Sequence, residues 1–509
     1  MMQAAYSASA TGEREMAFTS PPIDILPRHG VLIGERRGEG GGQVHAHIYP
    51  ATGVVTRELR LGDANDVDDA VRAARAALPA WRALPGDKRR DMMFRAAALL
   101  EQAMGDLAQL SVIENGSIMR AAPFVAMDAA QKFRYFGGWA DKIQGLTVPT
   151  WGAAAHDYVS YEPYGVVGAI LPWNGPLFAA TMVLAPALAA GNCVVVKAPE
   201  LAPWSVLRLG ELLAEAGFPA GVVTVVAGGG DVGAAMVAHP GIDKIQFVGS
   251  GATAKAVLKN AADTLKPCGL ELGGKSAVIV FADADMKEAA RRGLSGGVSA
   301  NGQGCVNGTR LLVERAIYEP YVAMLGAMAG HVVAGDPFDQ TTMLGPVISD
   351  VSLHRIMAVV DAAKASGARV VSGGKRIGGD CAGGYFLPLT ILADVGPDDA
   401  AAREEIFGPV LTITPFDSEE EAIALANGND YGLGGYIHTS DLRRAHHVAA
   451  RIDAGQIQVN ASGEAMTPCV PFGGMKQSGY GRLGGEAGLH EFLRIKNVYV
   501  NLAQPVVAA

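Results

Sequence analysis

Cysteine is scarce in this chain, with five residues among 509, at positions 193, 268, 305, 381 and 469. Their number is odd, they are widely spaced and no two form a CxxC pair, which argues against a disulfide scaffold or a zinc ribbon. This usage fits a reducing cytoplasm. Among the eleven histidines only His446 and His447 are adjacent, and on a helix their side chains point apart, so we predict no metal site.

The sequence also lacks an excess of positive charge, because 42 Lys and Arg stand against 51 Asp and Glu, giving a net charge of -9. Nucleic-acid binding proteins and membrane-surface proteins carry basic patches, so neither class is favoured. A small-molecule ligand is the better expectation. Residues 1–22 contain no apolar segment of the kind found in a secretory signal, and we predict a disordered tail there.

Charge is absent altogether from residues 163–196, a stretch longer than the roughly 20 residues that span a bilayer. Three prolines and the Gly191-Asn192 pair interrupt it. The interruptions predict a strand at 166–171, a helix at 177–189 and a strand at 193–196. We therefore expect a buried strand-helix-strand unit and no membrane span.

The length predicts two or three domains, and the hydrophobic pattern indicates two α/β series. Asn65-Asp66 begin an amphipathic helix that should end at Pro79, and a second helix should follow the turn at 85–87 and extend through Leu100. Between 166 and 280, short Val/Ile runs alternate with helical stretches, which is typical of a parallel sheet covered by helices. The candidate strands of this first series, an open dinucleotide-binding domain, include 194–197, 222–227, 245–248 and 277–280. Those of the second series, after Cys305, are 311–314, 370–371, 410–414 and 456–460.

Glu271 and Cys305 are the most informative residues of the chain. The glutamate stands in Leu-Glu-Leu-Gly-Gly-Lys (270–275), and the cysteine ends Gly-Gln-Gly-Cys (302–305). Their side chains suit a general base and a thiol nucleophile, and the small neighbours allow a carbonyl to approach. The structural alternatives are a buried core thiol and a glutamate paired with Lys275 on a helix, although Gly273-Gly274 would weaken such a helix.

Four more motifs occur in order: Pro172-Trp173-Asn174, Lys197-Ala198-Pro199-Glu200, Glu-Glu-Ile-Phe-Gly-Pro at 404–409, and Pro-Phe-Gly-Gly at 471–474. With the two motifs above, the chain resembles the NAD(P)-dependent aldehyde dehydrogenase superfamily from about residue 20 to about residue 500. The resemblance implies a Rossmann-type NAD-binding domain, an α/β catalytic domain and a small oligomerisation sheet. The ranges expected for these three units are 23–140 with 163–273, 274–475, and 141–162 with 476–509.

The resemblance also implies roles for the catalytic residues. Cys305 would attack an aldehyde, Asn174 and the Cys305 backbone N–H would stabilise the oxyanion, and Glu271 would activate the water that hydrolyses the thioester. The glutamate favours a carboxylic acid product over an acyl-CoA. Two alternatives stay open: Asn174 caps the helix that follows it, or the chain is a non-catalytic structural or binding member of the family.

For the cofactor, the resemblance assigns Lys197 and Glu200 to the adenosine ribose, and the Glu200 carboxylate favours NAD over NADP because it repels a 2'-phosphate. Glu405 is assigned to the nicotinamide ribose, Phe407 to the nicotinamide ring and Trp173 to the same cofactor site. Residues 228–233 match G-x-G-x-x-G, which makes Gly230 a phosphate candidate, but they also fit a turn and helix start. Gly249 and Ser250 are the second phosphate candidates, at the helix start that the family uses; Ala254 stands where the family usually has a glycine.

The identity of the aldehyde is the least determined feature of the sequence. Gly175, Ala179 and Met182 occupy positions where several relatives carry bulky aromatics, which predicts a roomy access tunnel. Residues 462–464 read Ser-Gly-Glu where betaine-aldehyde enzymes have Trp-Gly-Glu, so an aromatic cage for a quaternary ammonium is incomplete. Betaine aldehyde is disfavoured, and a bulky, aromatic or cationic aldehyde stays open. By resemblance, segments 158–162 and 495–501 form a sheet between subunits, which implies a homodimer or homotetramer.

Overall fold

A computed structural model of the chain describes residues 18–463 and 466–503. Most of the predicted amino-terminal tail, residues 1–17, lies outside this range. The Phe18 ring packs on Phe386 with their centroids 5.6 Å apart, and the Thr19 N–H donates to Asp336 at 2.8 Å. At these two positions the chain is therefore packed and does not form a tail. None of the described helices combines the length and apolarity that a bilayer span requires.

The secondary structure alternates throughout the chain. The strands are β1 Val31–Ile33, β2 Arg36–Gly38, β3 Val44–Tyr49, β4 Val54–Arg60, β5 Leu146–Val148, β6 Ala155–Pro163, β7 Val166–Ile170, β8 Cys193–Pro199, β9 Val223–Gly228, β10 Lys244–Val248, β11 Cys268–Glu271, β12 Ser276–Val280, β13 Gly308–Glu314, β14 Arg369–Ser372, β15 Thr390–Ala393, β16 Val410–Phe416, β17 Tyr431–Gly432, β18 Gly434–His438, β19 Gln456–Val459, β20 Met475–Lys476, β21 Gly479–Tyr480 and β22 Leu493–Asn501. The α-helices are α1 Ala64–Ala83, α2 Gly86–Gln102, α3 Met104–Asn115, α4 Ala122–Gly137, α5 Pro176–Ala190, α6 Trp204–Glu215, α7 Gly230–Ala238, α8 Gly251–Ala262, α9 Met286–Val298, α10 Tyr318–Ala329, α11 Asp350–Ala365, α12 Ala400–Arg403, α13 Glu419–Asn427, α14 Leu442–Ala449 and α15 Gly485–His490.

The first sheet has eight strands in the order β2-β1-β9-β8-β7-β10-β11-β21. Its central five, β9 to β11, are parallel, and the Val/Ile runs of β7 and β8 are fully buried because helices cover both faces. The chain passes from β7 to β8 and β9 on one side and then crosses to β10 and β11 on the other. This is the order of a dinucleotide-binding half, as predicted, and it opens a crevice beyond the carboxyl ends of β7 and β10.

The helices of the amino-terminal part follow the sequence pattern with one correction. Asp63 caps α1, accepting hydrogen bonds from the backbone N–H groups of Asn65 and Asp66. The prediction that this helix ends at Pro79 is wrong, because α1 continues to Ala83. A proline inside a helix costs about 3 kcal/mol, and burial of the Trp81 indole, packed on the Phe218 ring at 5.5 Å, offsets much of that cost.

The second sheet has seven strands in the order β14-β15-β16-β13-β12-β18-β19. It contains the four strands predicted after Cys305 and also β12, the run at 277–280 that the sequence analysis grouped with the first sheet. That grouping is wrong, because β12 pairs with β13 and β18. An apolar run carries no information about which of two parallel sheets it joins. The crossing between the sheets falls at residues 272–275, directly after Glu271.

A third, three-stranded sheet joins distant parts of the chain in the order β22-β6-β5. The predicted segments 158–162 and 495–501 pair in it, with Val498 opposite Tyr158. Ile495 is 68 % exposed and Tyr499 53 % exposed on this sheet. The predicted oligomerisation segment 476–509 is not a single unit, however, because β21 pairs with β11 at the edge of the first sheet.

Candidate active site

The candidate site lies beside residues 272–275, where the chain passes from the first large sheet to the second. Asn174 follows β7 and precedes α5, and Glu271 ends β11. Cys305 lies in the turn that leads into β13, and Glu405 and Phe407 lie in the turn that leads into β16. Asn174 and Glu271 thus lie at the carboxyl ends of strands in the first sheet, whereas Cys305 and Glu405 lie at the amino ends of strands in the second. Contacts of Asn174 with Gln303 and of Glu405 with Gly274 bring these motifs together.

The loop that presents Cys305 has an unusual backbone. Ala300, Asn301 and Gly302 all have left-handed conformations, with φ of 50°, 55° and 75°. At Gly302 a Cβ would lie 2.2 Å from the carbonyl carbon of Gly408, so only glycine fits. Left-handed non-glycine residues cost on the order of 1–3 kcal/mol each and persist where the surroundings hold them.

Two amide side chains hold this loop, and the sequence analysis did not assign either of them. The Asn301 side chain donates to the carbonyl oxygens of Gly116 and Pro346 and accepts from the Gly345 N–H, at 2.8 to 3.0 Å. The Gln303 Oε1 accepts from the Ile348 N–H at 2.9 Å. Both residues are buried. Their position beside glycines of the cysteine motif is the sequence signal that could have identified them. They fix the loop from both sides of Gly302.

Asn174 and Cys305 line the same cleft, which has a volume of about 550 Å³. The Asn174 Nδ2 donates to the Gln303 carbonyl oxygen at 2.8 Å, two residues before the cysteine. Asn115, also missed from sequence, donates to the carbonyl oxygens of Trp173 and Asn174 at 3.3 Å. Gly175 is the N-cap of α5 and no side chain caps that helix, so the helix-capping alternative for Asn174 is wrong.

The Cys305 thiol is partly exposed to this cleft. Burial raises its pKa to about 12, and the negative charges of Glu405 and Glu271 act in the same direction. The thiol is therefore protonated at neutral pH in the absence of ligands. A base has to take its proton before it can act as a nucleophile.

Glu271 lies behind the cleft wall with only 3 % of its surface exposed. In the described part of the chain neither carboxyl oxygen has a hydrogen-bond partner. Burial raises the pKa of this carboxyl well above its ordinary value, against the opposing charge of Arg482. Its Oε1 is 2.8 Å from the position that a Cβ would take at Gly473, so this glycine of the Pro-Phe-Gly-Gly motif makes room for it.

The predicted alternative for Glu271, an ion pair with Lys275 on a helix, does not form. Glu271 ends a strand, and the Lys275 Nζ makes no hydrogen bond to any described residue. Burial lowers the pKa of Lys275 to about 7, and the charge of Arg310 adds to the effect. A buried carboxylate and a buried amine thus stand four residues apart without pairing.

On the cofactor side, Lys197 and Glu200 follow β8 as predicted. The Lys197 Nζ donates to the Gly228 carbonyl oxygen at 2.7 Å and is 3.6 Å from Glu200 Oε2. Burial lowers the pKa of Lys197. The segment 228–233 forms a turn and the start of α7, and at Gly230 there is open space where a Cβ would stand. Lys197 therefore joins the ends of two neighbouring strands beside Glu200.

Ser250 is the N-cap of α8, and its hydroxyl accepts from the Thr253 N–H at 3.3 Å. A Cβ at Gly251 would meet no atom within 4 Å, so the first turn of this helix is open on that side. The Gly249 N–H donates to the Glu271 carbonyl oxygen at 3.0 Å. This contact links the helix start directly to the end of the strand that carries the candidate base.

Glu405 and Phe407 approach the crossing between the sheets. Glu405 Oε1 accepts from the Gly274 N–H at 2.9 Å, and a Cβ at Gly273 would lie 2.1 Å from Oε2. Burial raises the pKa of Glu405 to about 6. Phe407 has a φ of 52°, and its ring meets Trp173 edge to face with centroids 5.4 Å apart. Two of the predicted cofactor-site residues, Trp173 and Phe407, are thus in contact.

The walls of the cleft differ from the tunnel predicted. Gly175 lines the cleft, whereas Ala179 is buried behind it and Met182 lines a neighbouring cavity. Three aromatic side chains that were not predicted from the sequence as cleft residues also line the cleft. They are Phe124, Phe178 and Phe472. The cleft is large, but it is not free of aromatics. Ser462 and Gly463 line an adjoining cavity that shares Val306 and Met466 with the cleft, and Glu464 lies outside the described residues.

The five described cysteines are all free. Within residues 18–463 and 466–503, no group of three or more His, Cys, Asp and Glu side chains is arranged to hold a metal ion.

Comparison with known proteins finds relatives that match this chain over most of its length. Residues 37–498 match the sequence profile of the aldehyde dehydrogenase family. PnpE from Pseudomonas sp. WBC-3 is 37% identical, with a TM-score of 0.92 over 94% of this chain and 99% of that chain. A Burkholderia cenocepacia protein assigned to the aldehyde dehydrogenases is 39% identical, with a TM-score of 0.92 over 94% of this chain and 99% of that chain. Betaine aldehyde dehydrogenase from Staphylococcus aureus, solved in complex with NAD+, is 33% identical, with a TM-score of 0.93 over 95% of this chain and 97% of that chain.

Proposed function

The chain belongs to the aldehyde dehydrogenase family, and on that premise we propose that it oxidises an aldehyde to a carboxylic acid with NAD, using Cys305 as the nucleophile. The observation that carries the proposal is that Cys305 and Asn174 line one cleft. The Asn174 side chain is hydrogen-bonded to the Gln303 carbonyl oxygen, two residues before Cys305. The overall reaction is RCHO + NAD+ + H2O → RCOOH + NADH + H+.

In the first half of the reaction Glu271 takes the thiol proton, and the Cys305 sulfur forms a bond to the aldehyde carbon. The Asn174 amide and the Cys305 backbone N–H donate to the resulting oxyanion. An oxyanion donor of this kind typically contributes on the order of 10² to 10³ in rate. Bound NAD supplies the hydride acceptor for the oxidation of the hemithioacetal to the thioester.

In the second half Glu271, which has released the thiol proton to solvent, removes a proton from a water. The water oxygen attacks the thioester carbon, the C–S bond breaks to release the acid, and the Cys305 thiolate takes up the proton from Glu271. Two observations support this role. Burial raises the pKa of Glu271, which suits a base working near neutral pH, and no hydrogen bond from a described residue fixes its carboxylate. The side chain can therefore turn from the Gly473 side toward Cys305 without losing a partner.

We assign most of the NAD site to the first sheet, which also carries Asn174 and Glu271, whereas the nucleophile Cys305 precedes a strand of the second sheet. The crevice at the strand crossover and the open first turn of α8 support a pyrophosphate site at Gly249 and Ser250. Gly230 would lie beside it, Lys197 and Glu200 would hold the adenosine ribose, and Glu405 the nicotinamide ribose. Trp173 and Phe407 would flank the nicotinamide. The NAD+ complex of the Staphylococcus aureus relative supports this cofactor, and Glu200 disfavours NADP.

A homodimer or homotetramer is the proposed assembly, because the three-stranded sheet exposes Ile495 and Tyr499. A cytoplasmic location is proposed from the absence of disulfides among the described cysteines.

The test is a direct assay. The purified protein is mixed with NAD or NADP and a panel of aliphatic, aromatic and acidic aldehydes, and the absorbance of reduced nicotinamide is followed. We expect turnover with at least one aldehyde, faster with NAD, and none with Cys305→Ala. A wild type that oxidises no aldehyde with either cofactor would support the alternative, a structural or binding member of the family.

A further inference from the structure

A second, smaller cavity borders the catalytic cleft. Its volume is about 30 Å³, and its walls are mainly apolar, with Phe136 and Met182 among them. Phe178, Met466 and Phe472 line both the cavity and the cleft that contains Cys305. The two spaces therefore share a wall, and Cys305 lines only the cleft.

Lys132 is the notable residue of this cavity. Among the described residues that line it, Lys132 alone carries a charge. The side chain projects from α4 with only 6 % of the residue exposed, and its Nζ lies 3.6 Å from the centroid of the Phe178 ring. Asp128, one helical turn earlier, accepts a hydrogen bond from Nζ but does not line the cavity. The cation thus faces an apolar space, with its counter-charge behind it.

This ammonium group has capacity for another partner. An ammonium has three N–H donors, of which Asp128 takes one and the face of Phe178 covers another direction. Burial lowers the pKa of Lys132 to about 8, and the charge of Asp128 opposes that shift. Taking a cation out of water is costly unless acceptors surround it. A second anionic oxygen would complete its surroundings with a charge-assisted hydrogen bond.

The size of the cavity allows such a group. A single water needs roughly 10–15 Å³ of comparable volume, and the cavity has about 30 Å³. The cavity therefore has room for a small polar group such as a carboxylate beside Lys132, and Phe178 borders both this cavity and the cleft of Cys305. A cationic group in the same place would be repelled by Lys132.

We propose that Lys132 is a specificity-determining residue that binds a carboxylate at the far end of the substrate, so that the preferred substrates are acidic semialdehydes. The apolar walls would hold the carbon chain or ring between the formyl group and the carboxylate. This inference rests on the proposed oxidation of aldehydes at Cys305 and adds the chemical class of the substrate.

The experiment compares matched aldehydes that differ only at the far end. The pairs are 4-formylbenzoate with 4-methylbenzaldehyde, and 6-oxohexanoate with hexanal; a trimethylammonio benzaldehyde is the cationic member. We expect the wild type to show a higher kcat/KM for the acid of at least one pair, by about tenfold or more. In Lys132→Met and Lys132→Gln that advantage falls by about 10- to 100-fold, mainly through KM, while the neutral aldehydes change less than about threefold.

Arg120 provides the comparison variant, because it is an exposed cation that lines the cleft itself. The structure gives it no ion pair or hydrogen bond in the described part of the chain. We expect Arg120→Gln to keep the preference for acids. Turnover of the neutral aldehyde reports correct folding of each variant. Inhibition of the wild type by terephthalate against 4-methylbenzoate gives a second measurement that needs no variant, and the diacid should bind more tightly.

Three results would overturn the inference. The first is a wild type that prefers the neutral or cationic aldehydes and binds the diacid no better than 4-methylbenzoate. The second is an equal loss of kcat/KM for both members of a pair in the Lys132 variants, and the third is a loss of acid preference in Arg120→Gln instead of the Lys132 variants. In all three the protein still oxidises aldehydes, so the proposed function stands. A wild type that oxidises no aldehyde at all refutes the proposed function, which is a separate outcome.

Discussion

Replacement of Glu271 by glutamine separates the two halves of the proposed reaction. Glutamine has nearly the same shape, and since neither carboxyl oxygen accepts a hydrogen bond from a described residue, the change breaks no contact of that kind. What it removes is a proton acceptor whose pKa burial has raised. The variant should therefore keep its fold and lose the step that needs a base to activate water.

The magnitude follows from the role of the base. General-base catalysis contributes typically about 10²- to 10⁴-fold, which is about 3–5 kcal/mol of activation free energy. We expect steady-state turnover of Glu271→Gln to fall within this range. Its first turnover should persist where external base or a pH near 9 helps to deprotonate the thiol, giving a burst of one reduced nicotinamide per active site.

The assay is stopped-flow absorbance at 340 nm with saturating aldehyde and NAD, with Glu420→Gln as the control. Glu420 is an exposed carboxylate that is paired with Arg451 and does not line the cleft, so its variant should behave like the wild type. Steady-state turnover of Glu271→Gln within about threefold of the wild type would refute the assignment of the base. So would the disappearance of the burst at every pH while the variant still binds NAD.

Four further predictions concern the oxyanion donor, the cysteine loop, the cofactor site and the pH dependence of stability. Asn174→Ala should lower kcat/KM by about 10²- to 10³-fold and slow the burst even near pH 9, where Glu271→Gln should keep its burst, and a full-rate burst would contradict the oxyanion role. Gly302→Ala should lower the melting temperature and abolish activity, because Gly302 has a φ of 75° and a Cβ there would lie 2.2 Å from Gly408. The comparison variant is Gly105→Ala, in a helix with open space where the Cβ would stand, which should raise stability by about 0.5–1 kcal/mol. Glu200→Gln should raise the kcat/KM ratio for NADP over NAD by about tenfold, because a like charge near the 2'-phosphate is removed, and an unchanged ratio would reject the ribose assignment. Burial raises the pKa of Glu271 in the folded protein, so the contribution of Glu271 to stability falls as the pH rises from its unfolded pKa of about 4.5 toward its folded pKa. Glu271→Gln should therefore melt like the wild type near pH 4.5 and at a higher temperature than the wild type near pH 8.

Much of the fold follows from local patterns in the sequence. The charge-free stretch 163–196 forms β7, α5 and β8, because its prolines and Gly191 mark the boundaries. The run at 277–280 was predicted as a strand but placed in the wrong sheet, since pairing partners depend on chain crossings that an apolar run does not encode. Pro79 shows the reverse case, where burial of Trp81 outweighs a local helix breaker.

The candidate site likewise contains residues that the sequence predicts and residues that it does not. Cys305, Asn174 and the cofactor residues stand in ordered motifs, and the structure brings Cys305 and Asn174 to one cleft. The residues that hold them were not predictable, because Asn115, Asn301 and Gln303 act through backbone carbonyls and N–H groups far away in sequence. Lys132 gave no sequence signal either, since a lysine on an amphipathic helix is ordinarily exposed and only the packing of α4 against α5 buries it.

The most direct test of the central claim is the mass of the covalent intermediate. Glu271→Gln, mixed with an oxidised aldehyde and NAD and quenched in acid, should gain the mass of one acyl group, and peptide mapping should locate it on Cys305. An unmodified Cys305 under conditions that produce a burst of reduced nicotinamide, or an acyl group on one of the other four cysteines, would contradict the account.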